Sequence, residues 1–169
     1  MGENISAKEY RALAELRHRI RRFLQEGDDA ARQVGLEPQQ YLLLLATRGL
    51  PEGQEATIRT LAERLSLRHH STVELVDRME TRGYVRRARG REDRRQVLVL
   101  LQPRGEKLLE QVVGQRIIEL RSNGRTLVHA ISALLESRVT KSTKAEAKRQ
   151  VRVEAKGSKK PARRGKVAR

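Results

Sequence analysis

Two helices of apolar period leave only Ser66 and Leu67 for the turn between them, and that gap constrains the fold more than any other feature of the chain. Before it, Ile58, Leu61, Ala62 and Leu65 recur at i, i+3, i+4 and i+7; after it, Thr72, Leu75, Val76 and Met79 do the same. So short a connection leaves room only for a helix-turn-helix corner. Gly83 is placed to end the second helix, and the period then changes. Tyr84 and Val85 open a short extended run, and Val97 to Leu101 supplies a return strand. Between them lies Arg-Ala-Arg-Gly-Arg-Glu-Asp-Arg-Arg, a hairpin tip dense in guanidinium groups.

A helix-turn-helix followed by a two-stranded basic hairpin is the layout of a winged helix, a DNA-reading module. The order LAERL, then STVELVDRM-x-x-x-GYVRR, then DRRQVLVLL-x-x-x-G also resembles the MarR-type winged helix-turn-helix repressors. The resemblance covers roughly Leu36 to Glu136. It rests on the Asp-x-Arg of the wing (Asp93 and Arg95), the alternating strand that follows, and the helix-opening Gly105. One departure is that Leu101-Gln102 stands where the family usually has Leu-Thr, which removes a Thr helix cap. Pro103, suited to a first helical position, takes over as the start signal. The implied fold is mainly α with a small β-hairpin wing, flanked by N- and C-terminal dimerisation helices.

Charge is distributed in two blocks. Of the net +16, residues 141–169 carry 12 Lys or Arg against 2 Glu, and residues 59–95 carry 11 Arg against 6 acids. The rest of the chain is close to neutral. The body of the chain uses Arg almost exclusively, whereas the end is mostly Lys. Arg suits bidentate and minor-groove contacts; Lys acts as a mobile point charge. With no cysteine, disulfides and thiolate metal sites are excluded within this chain. One Phe, three Tyr and no Trp point to an aliphatic core between helices, not an aromatic-lined cofactor pocket. No apolar run approaches the ~20 residues that span a bilayer. The expected location is the bacterial cytoplasm, at the nucleoid.

Along the chain, an amphipathic helix is expected from Ser6 to Gly27, with Leu13, Leu16, Ile20 and Phe23 on one face and a capping box formed by Ser6 and Glu9. Gly27 to Gly35 reads as a connector. Pro38 opens a helix through Arg48, its run Tyr41–Ala46 buried on nearly all sides, and Ala56–Ile58 adds a short third strand to the wing. A long helix follows from Pro103 to about Arg121. Ser122-Asn123-Gly124 interrupts it, and a last helix follows. Residues 1–139 form the winged domain with its dimerisation helices, the DNA-reading lobe lying at about 56–102. Residues 140–169 form a basic, disordered tail with at most transient helix over Thr143–Ala155.

Apolar surplus at both ends of one small domain calls for a partner, because exposed stripes of this extent rarely stay unpaired. The resemblance implies a two-fold homodimer, with Leu16, Ile20, Val113, Ile117 and Ile131 as the expected dimerisation residues.

The second helix of the corner is expected in the major groove of double-stranded DNA, with His69, His70, Ser71, Val73 and Glu74 towards base edges. Val73 can touch a thymine methyl, and Glu74 can accept from cytosine N4 or else lie outside the interface. Arg68 and Arg78 are placed for phosphates. In the wing, Gly90 permits the turn and Asp93 shapes it. The resemblance sends Arg95 into the minor groove, with Arg91 and Arg94 on flanking phosphates. Adjacent His69 and His70 diverge by about 100° on a helix and do not share a metal; no cofactor is expected. The resemblance also implies a small-molecule effector, often an aromatic acid, although no motif of this chain specifies one. No nucleophile–base pair or phosphate loop supports an enzyme. The competing class is an architectural nucleoid protein dominated by its basic tail.

Overall fold

In the computed structural model, residues 5–90 and 96–157 are described, with side chains described as far as Leu135. Five helices and one hairpin follow in order: α1 (Ala7–Gln33), α2 (Pro38–Arg48), α3 (Ile58–Leu65), α4 (His69–Thr81), β1 (Val85–Arg89), β2 (Val97–Leu101) and α5 (Pro103–Gly157). The chain is mainly α with a small β-hairpin wing, the winged helix-turn-helix read from the sequence. It divides into two compact units, one of residues 20–125 and one of residues 1–19 with 126–169.

The core of the first unit is aliphatic. Leu36, Leu43, Leu44, Leu61, Leu75, Val76, Met79, Val85, Val99 and Val112 are all essentially inaccessible. The stripes of α3 and α4 lie where the period puts them: Ile58, Leu61 and Ala62 are buried on one helix, and Thr72, Leu75, Val76 and Met79 on the other. Thr57 caps α3 by accepting the Thr60 N–H at 3.1 Å. Ser66 closes the same helix in the left-handed region, at φ 53°. Helix α4 ends in a Schellman motif: the Gly83 N–H donates to Glu80 O and the Tyr84 N–H to Met79 O, both at 2.9 Å. Gly83, at φ +68°, takes the left-handed position as expected.

Strands β1 and β2 pair antiparallel, from Val85 opposite Leu101 to Arg89 opposite Val97. The expected third strand shrinks to one bridge, Thr57 to Leu98, with the Val99 N–H donating to Ala56 O at 2.8 Å. Pro103 is the first residue of α5. Two residues on, Gly105 lies so close to Tyr84, the residue before β1, that an added Cβ would overlap its carbonyl oxygen.

Four further expectations change. Helix α1 does not stop at Gly27 but runs to Gln33 and ends at Gly35, φ +83°, where the Leu36 N–H reaches Ala31 O at 3.0 Å. A glycine inside a helix costs only about 1 kcal/mol, and burial of Ala30, Ala31 and Leu36 outweighs that. Similarly, α5 passes straight through Ser122-Asn123-Gly124, with Ser122 Oγ donating back to Ile118 O at 3.0 Å. In α2, Leu42 and Leu45 are 42% and 37% exposed, because only one side of that helix meets the core. Finally, α5 continues to Gly157, where disorder was expected. The Lys, Ala, Glu, Gln and Arg of this stretch are strong helix formers, and extending an existing helix needs no new nucleus.

Arg116 anchors α5 to α1 within this unit. It is 7% exposed; its Nη2 donates to Phe23 O at 2.8 Å, and its guanidinium sits 4.6 Å from the Phe23 ring centroid. Glu119 pairs with its Nη1, and Glu26 lies 3.6 Å away. Tyr41 nearby has its pKa raised by burial, against the attraction of Arg116 and with help from Asp28.

In the second unit, the expected capping box is present. The Ser6 N–H and hydroxyl both donate to Glu9 Oε2 at 2.7 Å. Tyr10, Leu13, Val128, Ile131 and Leu135 are exposed there.

Candidate nucleic-acid interface

The buried stripe of α4 fixes which residues face outward. Arg68, His69, His70, Glu74, Asp77, Arg78 and Thr81 are exposed, and Ser71 and Val73 lie half-buried at the flanks. A helix entering a major groove from its N-terminal end presents His69, His70, Ser71, Val73 and Glu74 first. Arg68 and Arg78 pair with no acid among the described residues, which leaves both guanidinium groups available for phosphate. His69 and His70 open the helix side by side, and no group of three or more His, Cys, Asp or Glu gathers among the described residues.

The wing is tied to α4 by one residue that the sequence reading did not single out. Arg87 Nη1 lies 2.7 Å from both Asp77 Oδ1 and Glu80 Oε2. The Arg87 backbone N–H donates to Glu80 Oε1 at 2.7 Å, and its Nη2 reaches Val73 O at 3.4 Å. The backbone and side-chain hydrogen bonds from Arg87 hold the Glu80 carboxyl below the usual carboxylate range. Burial works against the charge on Arg87, but the hydrogen bonds to Glu80 and Asp77 prevail and raise its pKa. Two consequences follow. The strand that carries the wing is fixed relative to α4. Asp77 and Glu80 share the single positive charge of Arg87, which offsets half of their negative charge. Strand alternation held the signal, since residue 87 falls on the same side as core residue Val85. A cation on the inner side of a strand requires an acid opposite it.

At the base of the wing, the Gly90 N–H donates to Gln96 O at 3.0 Å. Arg91, Asp93, Arg94 and Arg95, the expected tip residues, lie outside the described residues. Between the starts of α3 and α4 and the wing is an open cleft of about 490 Å³, lined by Ile58, Val73 and Val97 with Arg59, His69 and Arg87.

The expected dimerisation residues divide by exposure. Ile20, Ile117 and Ile131 are 42%, 44% and 42% exposed. Leu16 is half-buried, and Val113 packs partly against the core. Ile118, Leu120 and Leu24, which were not singled out, are more exposed than these.

Comparison with known proteins agrees with this geometry. The MarR family profile matches residues 34–96. An HTH-type transcriptional regulator of Bacillus subtilis (strain 168), YsmB, is 30% identical over 126 residues, 75% of this chain and 84% of its own length. The crystal structure of AbsC, a MarR family transcriptional regulator from Streptomyces coelicolor, matches 88% of this chain and 98% of its own at a TM-score of 0.61 and 19% identity. CouR from Rhodococcus jostii RHA1, solved with p-coumaroyl-CoA bound, matches 72% of this chain and 87% of its own at a TM-score of 0.56 and 25% identity. With the helix-turn-helix, the basic wing and the flanking helices all in place, the chain belongs to the MarR family of transcription regulators.

Proposed function

We propose that this regulator is a repressor that binds a pseudo-palindromic operator as a homodimer. The observation that carries this reading is the outward face of α4, which combines unpaired Arg68 and Arg78 with the base-sized polar and apolar groups of His69, His70, Ser71, Val73 and Glu74. Arg68 and Arg78 hold phosphates and set the register, while Val73 and Glu74 discriminate bases. The role proposed for Arg95 is contact in the neighbouring minor groove, and for Arg91 and Arg94 contact with phosphates. The exposed apolar residues of α1 and α5, Ile20, Ile117 and Ile131 foremost with Leu16 and Val113 beside them, form the dimer contact. Two-fold symmetry of the dimer is then mirrored in the operator.

The effector proposal has its precedent in CouR, whose structure holds p-coumaroyl-CoA. A small-molecule ligand of this chain would act by shifting the dimer between geometries that fit the operator differently. The expected setting is the bacterial cytoplasm, at the nucleoid. Among the described residues no helix is long and apolar enough to cross a membrane.

The test is a pair of binding curves, one on a palindrome selected from genomic DNA and one on a scrambled duplex of equal length, with mass determination of the complex. Two chains per palindrome and a preference of roughly a thousandfold or more support the proposal. A ratio below about tenfold would leave only backbone binding.

A further inference from the structure

Strand β1 carries Arg86, Arg87 and Arg89, and the fold gives the three arginines different surroundings. Successive side chains of a strand point to opposite faces of the sheet, and each face of the hairpin is identified by what it borders. Arg87 and Val97 border the cleft that also holds His69 and Val73 of α4. Arg86 borders an open groove of about 600 Å³ with Arg48 at the end of α2 and Glu106 at the start of α5. Arg89 pairs directly with Val97 in the antiparallel register, and directly opposed residues share a face. Arg89 therefore lies on the α4 side of the hairpin, about 7 Å along the strand from Arg87. That step leads towards the start of α4. Arg87 reaches Asp77 and Glu80, whereas Val97, opposite Arg89, borders the same cleft as His69, the first residue of the helix.

The two arginines on this face also differ in how their charge is used. Arg87 is held by two carboxylates, and its side chain is 27% exposed. Arg89 is exposed and makes no ion pair among the described residues. We infer that Arg89 is a phosphate contact of the wing strand, held at a fixed distance from the start of α4 by the Arg87 tie two residues away. The inference rests on the proposed DNA-binding role of α4, which brings duplex DNA to this face of the molecule. A cation on a tethered strand meets a phosphate at a lower ordering cost than one on a free loop, because its backbone is already in place. Arg86 is equally exposed but lies on the other face of the hairpin, away from α4.

Arg86 supplies the control, since Arg86→Gln and Arg89→Gln change net charge equally and differ only in the face that loses it. Affinity of the full chain for a selected palindrome and for a scrambled duplex of equal length is measured against salt concentration. Each phosphate neutralised on duplex DNA contributes about −0.9 to the slope of log affinity on log salt. Arg89→Gln should flatten that slope by about 0.9 per bound chain on both duplexes. It should weaken both by a similar factor, at least about tenfold, so that the preference between them is kept. Arg86→Gln should keep the wild-type slope. Arg89→Lys should keep it too, because a point charge serves a phosphate. The denaturant midpoint of Arg89→Gln should equal that of wild type, which separates a lost contact from a lost fold. Equal slopes for Arg86→Gln and Arg89→Gln would overturn the inference, as would a lowered midpoint or an Arg89→Lys variant that behaves like Arg89→Gln. Wild type that binds neither duplex at any salt would overturn the reading of α4 as well; if wild type binds and Arg89→Gln matches it, only the assignment of Arg89 fails.

Discussion

Arg87 and Glu80 join the wing to α4 through two contacts at once: the Arg87 backbone N–H and its Nη1 each lie 2.7 Å from a different oxygen of the Glu80 carboxylate. A side chain on α4 thereby fixes both the position and the direction of β1. Replacing Arg87 with Ala should lower stability by about 1–2 kcal/mol, the range for charge-assisted hydrogen bonds at a partly exposed site. Operator affinity should fall further than stability does, since the wing loses its fixed angle to α4. Denaturant unfolding and binding on the same preparation check this.

The pH dependence of that contact has a definite sign. Glu80 has its carboxyl pKa lowered by the Arg87 hydrogen bonds, so its contribution is fully present above the unfolded value of about 4.3. It is lost as pH falls through the lower folded value. Glu80 is more than a third exposed, and solvent screening holds the effect to about 1 kcal/mol. Glu80→Gln should therefore cost more stability at pH 7 than at acid pH, the cost shrinking as pH falls below the unfolded value. An equal cost at neutral and acid pH would assign the effect to packing.

At Gly105 the limit is space. An added Cβ would overlap Tyr84 O and fall 2.9 Å from Tyr84 C, both backbone atoms of the residue before β1. Gly105→Ala should destabilise by about 3 kcal/mol, at the upper end of overpacking costs. Loss of less than about 1 kcal/mol in a thermal or denaturant melt would mean that α5 and β1 separate easily.

Ser66 presents the opposite case. It holds φ 53° at the corner between α3 and α4, a region that costs a residue with a Cβ roughly 1–2 kcal/mol. Ser66→Gly relieves this, offset by the greater freedom of glycine in the unfolded chain. The expected net is a gain of about 0.5 kcal/mol. A loss would show that the Ser66 side chain supports the corner.

The exposed isoleucines predict association. Ile117 is 44% exposed on α5, and Ile117→Lys should shift sedimentation at micromolar concentration from dimer towards monomer. A monomeric wild type, with the variant equally stable, would contradict the proposed dimer.

The legible parts of this fold share a cause. Stripes on α3 and α4 could be read because one buried face of a helix imposes its period on the sequence, and Gly83 because only a left-handed position was needed where the period stopped. Gly27 misled because a helix stops where burial stops: Leu36 in the core sets the end at Gly35. Ser122-Asn123-Gly124 misled in the same way, as three weak helix formers do not outweigh the long helix on either side. Strand alternation places Arg87 on the inner side of β1, but its pairing with Asp77 and Glu80 in particular is decided by how strand and helix pack. The expectations for Arg91, Asp93, Arg94 and Arg95 lie outside the described residues.

The central claim is that the N-terminal half of α4 reads base edges, and selection of bound duplexes from a random pool tests it most directly. Wild type should enrich a pseudo-palindrome whose half-sites lie about 10–10.5 base pairs apart or a multiple of it. Glu74→Ala should keep the same spacing but change the preferred base at one position per half-site, by about 1–3 kcal/mol. A wild-type pool with no enriched motif would contradict the account, and so would identical motifs from wild type, Glu74→Ala and Val73→Ala.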